Sequence, residues 1–225
     1  MQQYEIELKS LLGSEERAEA LRQQMKRLDH DTKLTDTNSQ LNHYFTDGSL
    51  EALAESMRFE CLSPQKGEEL MTIAAQAKDF SVRTREKNGK TYLVVKASVD
   101  DTTSHNGIAR LEFEEESKLP IGALDAVVLG SGFNYQAKWS RVREEYAFRG
   151  ITVCLDKNAG YGWVAEFEKM VDDKEKADAA RAELRALMRE LAVEELPQER
   201  LERMFAFYNA HWREYYGTDK TFSIA

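Results

Sequence analysis

The sequence predicts an α+β fold of about eight strands, in which helices cover the apolar side of the sheet and charged side chains line an enclosed bore. Three observations lead there. Strand-length segments alternate between apolar and ionised residues; at least four segments have the period of an amphipathic helix; and the polar strand faces carry both signs of charge with almost no Ser, Thr, Asn or Gln.

The elements are expected in the following order. Residues 3–12 read as a strand and 14–28 as a helix, with Ser14 as N-cap, Glu15 and Glu16 in the first turn, and Ala18, Leu21, Met25 and Leu28 as its apolar stripe. A polar stretch over 29–39 leads to a strand at 40–45. Two helical patterns, at 49–58 and 66–78, are split by Ser63 and Pro64. Strands at 80–85 and 92–98 flank Asn88–Gly89, the strongest short hairpin signal. A strand at 108–115 precedes a short helix over 120–129 that opens with a proline. Strands at 134–148 and 151–156 join tightly through Arg149 and Gly150. Residues 158–162 form a turn before a strand at 163–170, and helices at 172–193 and 197–216 complete the chain. No linker or fixed-period repeat interrupts it. The expectation is one domain over 1–225, with a strand core over about 3–170, a helical insertion over about 47–79 and C-terminal helices over 172–216.

Composition narrows the possibilities. The chain has 225 residues, 42% hydrophobic and 32% charged, with a net charge of −9. That is enough for a sizeable core. The net charge repels nucleic acid and anionic membranes at long range, and the basic residues lie on strands beside acids rather than in a stripe. No apolar run approaches the length of a membrane span, and no signal peptide is visible, so a cytoplasmic protein with no nucleic-acid or membrane partner is expected. Two cysteines, Cys61 and Cys154, read as buried thiols. His30, His43, His105 and His211 lack metal-ligand spacing, which argues against zinc. Phe205, Tyr208, Trp212, Tyr215 and Tyr216 recur at helical spacing and read as packing residues.

The alternation carries the functional reading. Glu5, Glu7 and Lys9 oppose Tyr4, Ile6 and Leu8; Arg83 and Arg85 oppose Phe80 and Val82; Arg110, Glu112 and Glu114 oppose Ala109, Leu111 and Phe113. Arg141, Arg143 and Glu145 share a face. Thr152, Cys154 and Asp156 oppose Ile151, Val153 and Leu155, and Glu166 and Glu168 lie opposite Ala165 and Phe167. An open sheet with one solvated face explains any single strand. Together the strands favour closure around a bore, because the helices need the apolar face and closure removes edges. Carboxylates hold hard divalent ions, while arginine and lysine bind phosphate oxygens.

These segments resemble the CYTH family, the triphosphate tunnel metalloenzymes, which include class IV adenylate cyclases, thiamine triphosphatases and inorganic triphosphatases. The resemblance rests on Glu5-x-Glu7-x-Lys9, then Arg83-x-Arg85, Lys96, Arg110 to Glu114, Arg141-x-Arg143, and the run from Asp156 through Gly160 and Gly162 to Glu166-x-Glu168. It implies a closed eight-stranded antiparallel β-barrel surrounded by helices. It implies metal ligation (Mg2+ or Mn2+) by Glu5, Glu7, Asp156, Glu166 and Glu168, and triphosphate binding by Lys9, Arg83, Arg85, Lys96, Arg141, Arg143 and, from the C-terminal segment, Lys220. Glu5, Glu7, Lys9 and Arg143 become the catalytic set, with Glu112 and Glu114 as a second acidic pair. The longer, more helical stretch at 47–79 and the long C-terminal helices depart from the family pattern. The implied activity is metal-dependent hydrolysis of a small-molecule triphosphate by a monomer or homodimer. Cyclisation of ATP to cyclic AMP, or triphosphate binding without turnover, are the alternatives.

Overall fold

The computed structural model describes residues 4–60, 62–98 and 110–224, with side chains given except at 4–5, 59–60, 98, 110–112 and 174. Cys61, Ala109 and His105 therefore lie outside the described residues. The elements run β1 (Tyr4–Gly13), α1 (Glu15–Leu28), β2 (Lys33–Asp47), α2 (Leu50–Glu60), α3 (Pro64–Gln76), β3 (Asp79–Lys87), β4 (Lys90–Ser98) and β5 (Arg110–Ser117). They continue with α4 (Ile121–Gly130), β6 (Phe133–Phe148), β7 (Ile151–Asn158), β8 (Gly162–Val171), α5 (Ala177–Glu190) and α6 (Gln198–Tyr215). Among the described residues, no helix is long and apolar enough to cross a membrane.

The eight strands form an antiparallel sheet in the order β1-β8-β7-β6-β2-β3-β4-β5. β1 and β5 end that order, and hydrogen bonds do not join them among the described residues. The expected barrel is thus found as an eight-stranded α+β sheet, without a ladder that closes it. Closure by pairing would need β1 and β5 each to gain a second strand neighbour.

Contacts divide the chain into two compact units, Met1–Asn38 with Ser140–Ala225, and Ser39–Trp139. In the first, β1, β8, β7 and β6 put Ile6, Leu8, Ala165, Phe167, Val153, Leu155, Tyr146 and Phe148 on one face. Ala18, Leu21 and Met25 of α1 and Ala180, Leu184 and Met188 of α5 pack against it. This is the predicted stripe of α1, and Ser14 caps that helix, its Oγ accepting from the Arg17 N–H at 3.4 Å. In the second unit, Val82, Leu93, Val95, Ala97 and Phe113 form the apolar face of β3, β4 and β5. It is covered by Leu53 and Met57 of α2, Leu70 and Ile73 of α3, and Leu124 and Val128 of α4. Burying each such side chain contributes roughly 1.5–3 kcal/mol.

Among the boundaries that differ from expectation, three have a plain physical reason. The polar stretch at 29–39 is not all loop: β2 begins at Lys33. Its first residues are mostly exposed, so no apolar alternation marked them. α3 begins at Pro64, with Ser63 as N-cap, because proline suits a first helical position whose N–H needs no partner. The helix expected from 172 begins with a 3₁₀ turn at Lys174–Lys176 and becomes α-helical only at Ala177. Asn88 (φ 51) and Gly89 (φ 79) make the β3–β4 turn in the left-handed backbone region, as the Asn-Gly signal predicts.

Candidate functional site

Antiparallel pairing in the first unit builds a lattice of charge on the face opposite the core. Residues directly across a ladder share a face. Glu7 of β1 lies across from Glu168 of β8, and Lys9 from Glu166. Glu166 lies across from Cys154 of β7, and Asp156 of β7 from Arg143 of β6. Arg141 lies across from Asn158 at the end of the row. Glu5 is opposite Met170 on the same face, although its side chain lies outside the described set.

The side chains meet. Arg143 forks onto Asp156, Nε to Oδ1 and Nη2 to Oδ2 both at 2.7 Å, and its Nη2 also donates to Glu166. Arg141 Nη1 donates to Asp156 Oδ2 at 2.8 Å. Lys9 Nζ donates to Glu166 Oε1 at 2.6 Å and to Glu7. Arg143 Nη1 lies 3.9 Å from Glu168 Oε1. Asp156 is 1% exposed in its side chain and Glu166 12%, so these pairs are held largely out of water.

Burial by itself would raise the Glu166 carboxyl, but the charges of Lys9, Arg143 and Arg141 overcome it and pull it down to about 2. Burial disfavours the Arg143 guanidinium, yet the hydrogen bonds to Asp156 and the charges of Glu166 and Asp156 hold it more firmly protonated than an ordinary arginine. Burial pushes the Cys154 thiol up; its Sγ lies 3.7 Å from Glu168 Oε1.

The second unit carries its own charged face. Arg83 and Arg85 of β3 lie across from Tyr44 and Asn42 of β2. Arg83 Nη1 donates to Tyr44 Oη at 2.8 Å; Arg85 Nε donates to Asn42 Oδ1 at 3.0 Å, and its Nη1 to both Glu114 oxygens at 2.8 and 3.0 Å. Lys96 of β4 is paired with Glu112 of β5 in the backbone register, and the Glu112 side chain lies outside the described set. Arg83, Arg85, Lys96 and Glu114 thus share one face, as their parity predicts.

Of the predicted residues, Glu7, Lys9, Arg141, Arg143, Asp156, Glu166 and Glu168 come together in the first unit. Lys220 does not join them in any ion pair among the described residues; its side chain is exposed, and its carbonyl accepts from the Gly160 N–H at 2.9 Å. A cavity of about 390 Å³ opens beside Arg141 and Asn158, walled by Trp163, Lys157 and the segment through Gly217 and Asp219. Gly217 N–H donates to Ser140 Oγ at 3.0 Å, and Lys157 pairs with Asp219 at 2.9 Å, which holds that wall. Sequence reasoning gave no sign of this cavity, because its wall is made by a segment more than fifty residues distant along the chain.

Among the described residues, no three acidic, imidazole or thiol groups converge closely enough to hold a metal ion unaided. The donor chemistry nonetheless fits a hard divalent ion: Glu7, Glu166, Glu168 and Asp156 offer oxygen only. Their present partners are the ammonium of Lys9 and the guanidinium groups of Arg141 and Arg143, which are themselves phosphate-binding groups.

The model of the CYTH domain matches residues 71–200. Solved structures share the fold. A proposed adenylate cyclase from Vibrio parahaemolyticus superposes with a TM-score of 0.59 at 16% identity, over 92% of this chain and 99% of that one. The PH1819 protein of Pyrococcus horikoshii gives 0.57 at 22% identity, over 87% and 94%. A Pyrococcus furiosus protein gives 0.56 at 19% identity, over 84% and 91%. No curated protein matches the chain closely enough to count as a relative.

Proposed function

Since the chain belongs to the CYTH domain family, we propose that it is a divalent-metal-dependent phosphohydrolase acting on a triphosphate-containing small molecule. Inorganic tripolyphosphate, thiamine triphosphate and nucleoside triphosphates are the candidate substrates. One observation carries the proposal: four strands of the first unit bring Glu7, Lys9, Asp156, Glu166, Arg141 and Arg143 into one connected lattice of carboxylates and cations. A sheet face that needed only solvation would not have to bury Asp156 or draw Glu166 down to about 2.

When bound, Mg2+ or Mn2+ supplies positive charge to the phosphoryl oxygens and lowers the pKa of a coordinated water. Glu5, Glu7, Asp156, Glu166 and Glu168 are the residues proposed to hold it. Arg143 and Arg141 reach phosphoryl oxygens by turning from the carboxylates that now occupy them, and arginine grips such oxygens as a fork. Lys9 presents a point charge to the same group. Because Lys9, Arg143 and Arg141 hold Glu166 ionised, it presents charged oxygens to a metal or a water rather than serving as a base. The protein positions the phosphorus for in-line attack and stabilises the charge on its oxygens.

The proposal extends to closure of the eight strands into a tunnel, in which Arg83, Arg85, Lys96 and Lys220 add phosphate-binding charge and Glu112 and Glu114 a second acidic pair. Bound Mn2+ should then broaden the side-chain NMR signals of Arg83 and Arg85. It extends also to a cytoplasmic monomer or homodimer that binds neither nucleic acid nor membrane.

The test is turnover. ATP, thiamine triphosphate and tripolyphosphate are each supplied with Mg2+ or Mn2+, and release of orthophosphate is the expected result. Cyclic AMP from ATP would replace the hydrolase reading with the cyclase, and tight binding without turnover would reduce the protein to a binding module. Joint substitution Glu5→Gln and Glu7→Gln should abolish metal-dependent turnover with little change in thermal unfolding; retained turnover counts against the site.

A further inference from the structure

Asp125 is the one acid of α4, a helix otherwise made of apolar residues and glycine, and it is 3% exposed. Its carboxylate is surrounded by donors from three strands. His43 Nδ1 of β2 lies 2.7 Å from Oδ2, Thr84 Oγ1 of β3 donates to Oδ1 at 2.6 Å, and Tyr135 Oη of β6 donates to Oδ2 at 2.6 Å. Lys138 Nζ, also of β6, is 3.4 Å from Oδ2. Burial would raise this carboxyl, but the hydrogen bonds from His43, Thr84 and Tyr135 hold it below the usual range. A buried carboxylate saturated by donors gains little over an apolar side chain in stability alone, whereas a satisfied polar network fixes geometry.

The geometry it fixes is informative. Thr84 lies between Arg83 and Arg85 on β3, and alternation turns it to the core side while both arginines face the other way. His43 likewise lies between Asn42, which accepts from Arg85 Nε, and Tyr44, whose hydroxyl accepts from Arg83. Asp125 therefore grips the two strands at the residues directly behind both arginines and both of their neutral partners.

We propose that Asp125 is a positioning residue for phosphate binding by Arg83 and Arg85, acting through Thr84 and His43. It touches no substrate in this scheme, and the phosphate part of the claim rests on the function proposed above.

Two measurements test it on the intact chain. In the first, hydrogen exchange at arginine Nε is followed by 15N NMR without ligand. Asp125→Asn and Thr84→Val should each speed exchange at Arg85 by about tenfold and leave Arg143 unchanged, and Thr84→Ser should restore the wild-type rate. Unchanged exchange at Arg85, or equal acceleration at Arg143, overturns the positioning role. Thr84→Val leaves Asp125 its other donors, and so serves if Asp125→Asn does not fold. In the second, tripolyphosphate affinity is measured. Asp125→Asn should weaken it several-fold in the wild-type background and not at all in Arg83→Ala/Arg85→Ala; additive losses would mark general destabilisation and overturn the proposal. Failure of the wild-type chain to bind tripolyphosphate would sink the triphosphate reading and the phosphate role with it, while the exchange rates still decide whether Asp125 orders the arginines.

Discussion

Glu166→Gln isolates the electrostatics of the first unit's lattice. The substitution keeps shape and hydrogen-bonding capacity but removes the charge that Lys9 Nζ approaches at 2.6 Å and that Arg143 shares with Asp156. The carboxyl titrates at about 2 rather than 4.5. At about 1.4 kcal/mol for each tenfold change in proton affinity, its ionised form contributes about 3 kcal/mol to the folded state. Arg143 keeps its fork on Asp156 in the variant, so the loss should not exceed that figure by much. The sign follows from the depressed folded value: the contribution is complete above the unfolded pKa and disappears as pH falls from about 4.5 to about 2. Urea unfolding should therefore separate wild type from Glu166→Gln by about 3 kcal/mol at pH 7 and by about half of that near pH 3. A gap under about 1 kcal/mol at neutral pH, or one independent of pH, would refute the view that these cations act on an ionised Glu166.

Gly162→Ala should cost about 3 kcal/mol in chemical denaturation, because its φ is +70° and a Cβ there would lie 2.3 Å from the Gly13 carbonyl oxygen. Gly150→Ala, at φ +76° with open space around the new carbon, should cost only about 1 kcal/mol, and equal costs would count against the close β1–β8 approach. Cys154 is 1% exposed and burial raises its thiol, so iodoacetamide should modify it at least about tenfold more slowly in the native chain than in urea. Rapid native labelling of Cys154, located by peptide mapping, would contradict that burial.

The strand faces were legible because alternation is a local signal: the parity of Glu7 and Lys9, of Arg83 and Arg85, and of Glu166 and Glu168 is the parity observed. Caps and turns of known chemistry, such as Ser14 and Asn88–Gly89, were equally readable. Register was not. That Glu7 meets Glu168 and Arg143 meets Asp156 depends on which strands pair and where, and turn length fixes this only for neighbours such as β7 and β8. The Asp125 network escaped notice for the same reason. Within Ile121–Gly130 one aspartate looks like a surface residue, and its partner His43 lies 82 residues earlier. The first half of β2 was missed because its exposed residues lack the apolar partners that make a strand visible.

The charge balance of the lattice supports the proposed dependence on a divalent metal. Among the described residues, Glu7, Glu166, Glu168, Asp156 and Glu145 share their face with only Lys9, Arg141 and Arg143 as cations, and the chain as a whole carries −9. A triphosphate entering that face alone would meet net negative charge, and each arginine it recruited would leave a carboxylate such as Asp156, 1% exposed, without its counter-charge. Divalent charge at the carboxylates would offset both penalties together, since Asp156 and Glu166 would stay neutralised while Arg141 and Arg143 turned to phosphate oxygens. On the proposed reading, the ion pairs of Arg141 and Arg143 with Asp156 keep the lattice's acids and cations matched, and a ligand and a metal would replace them together.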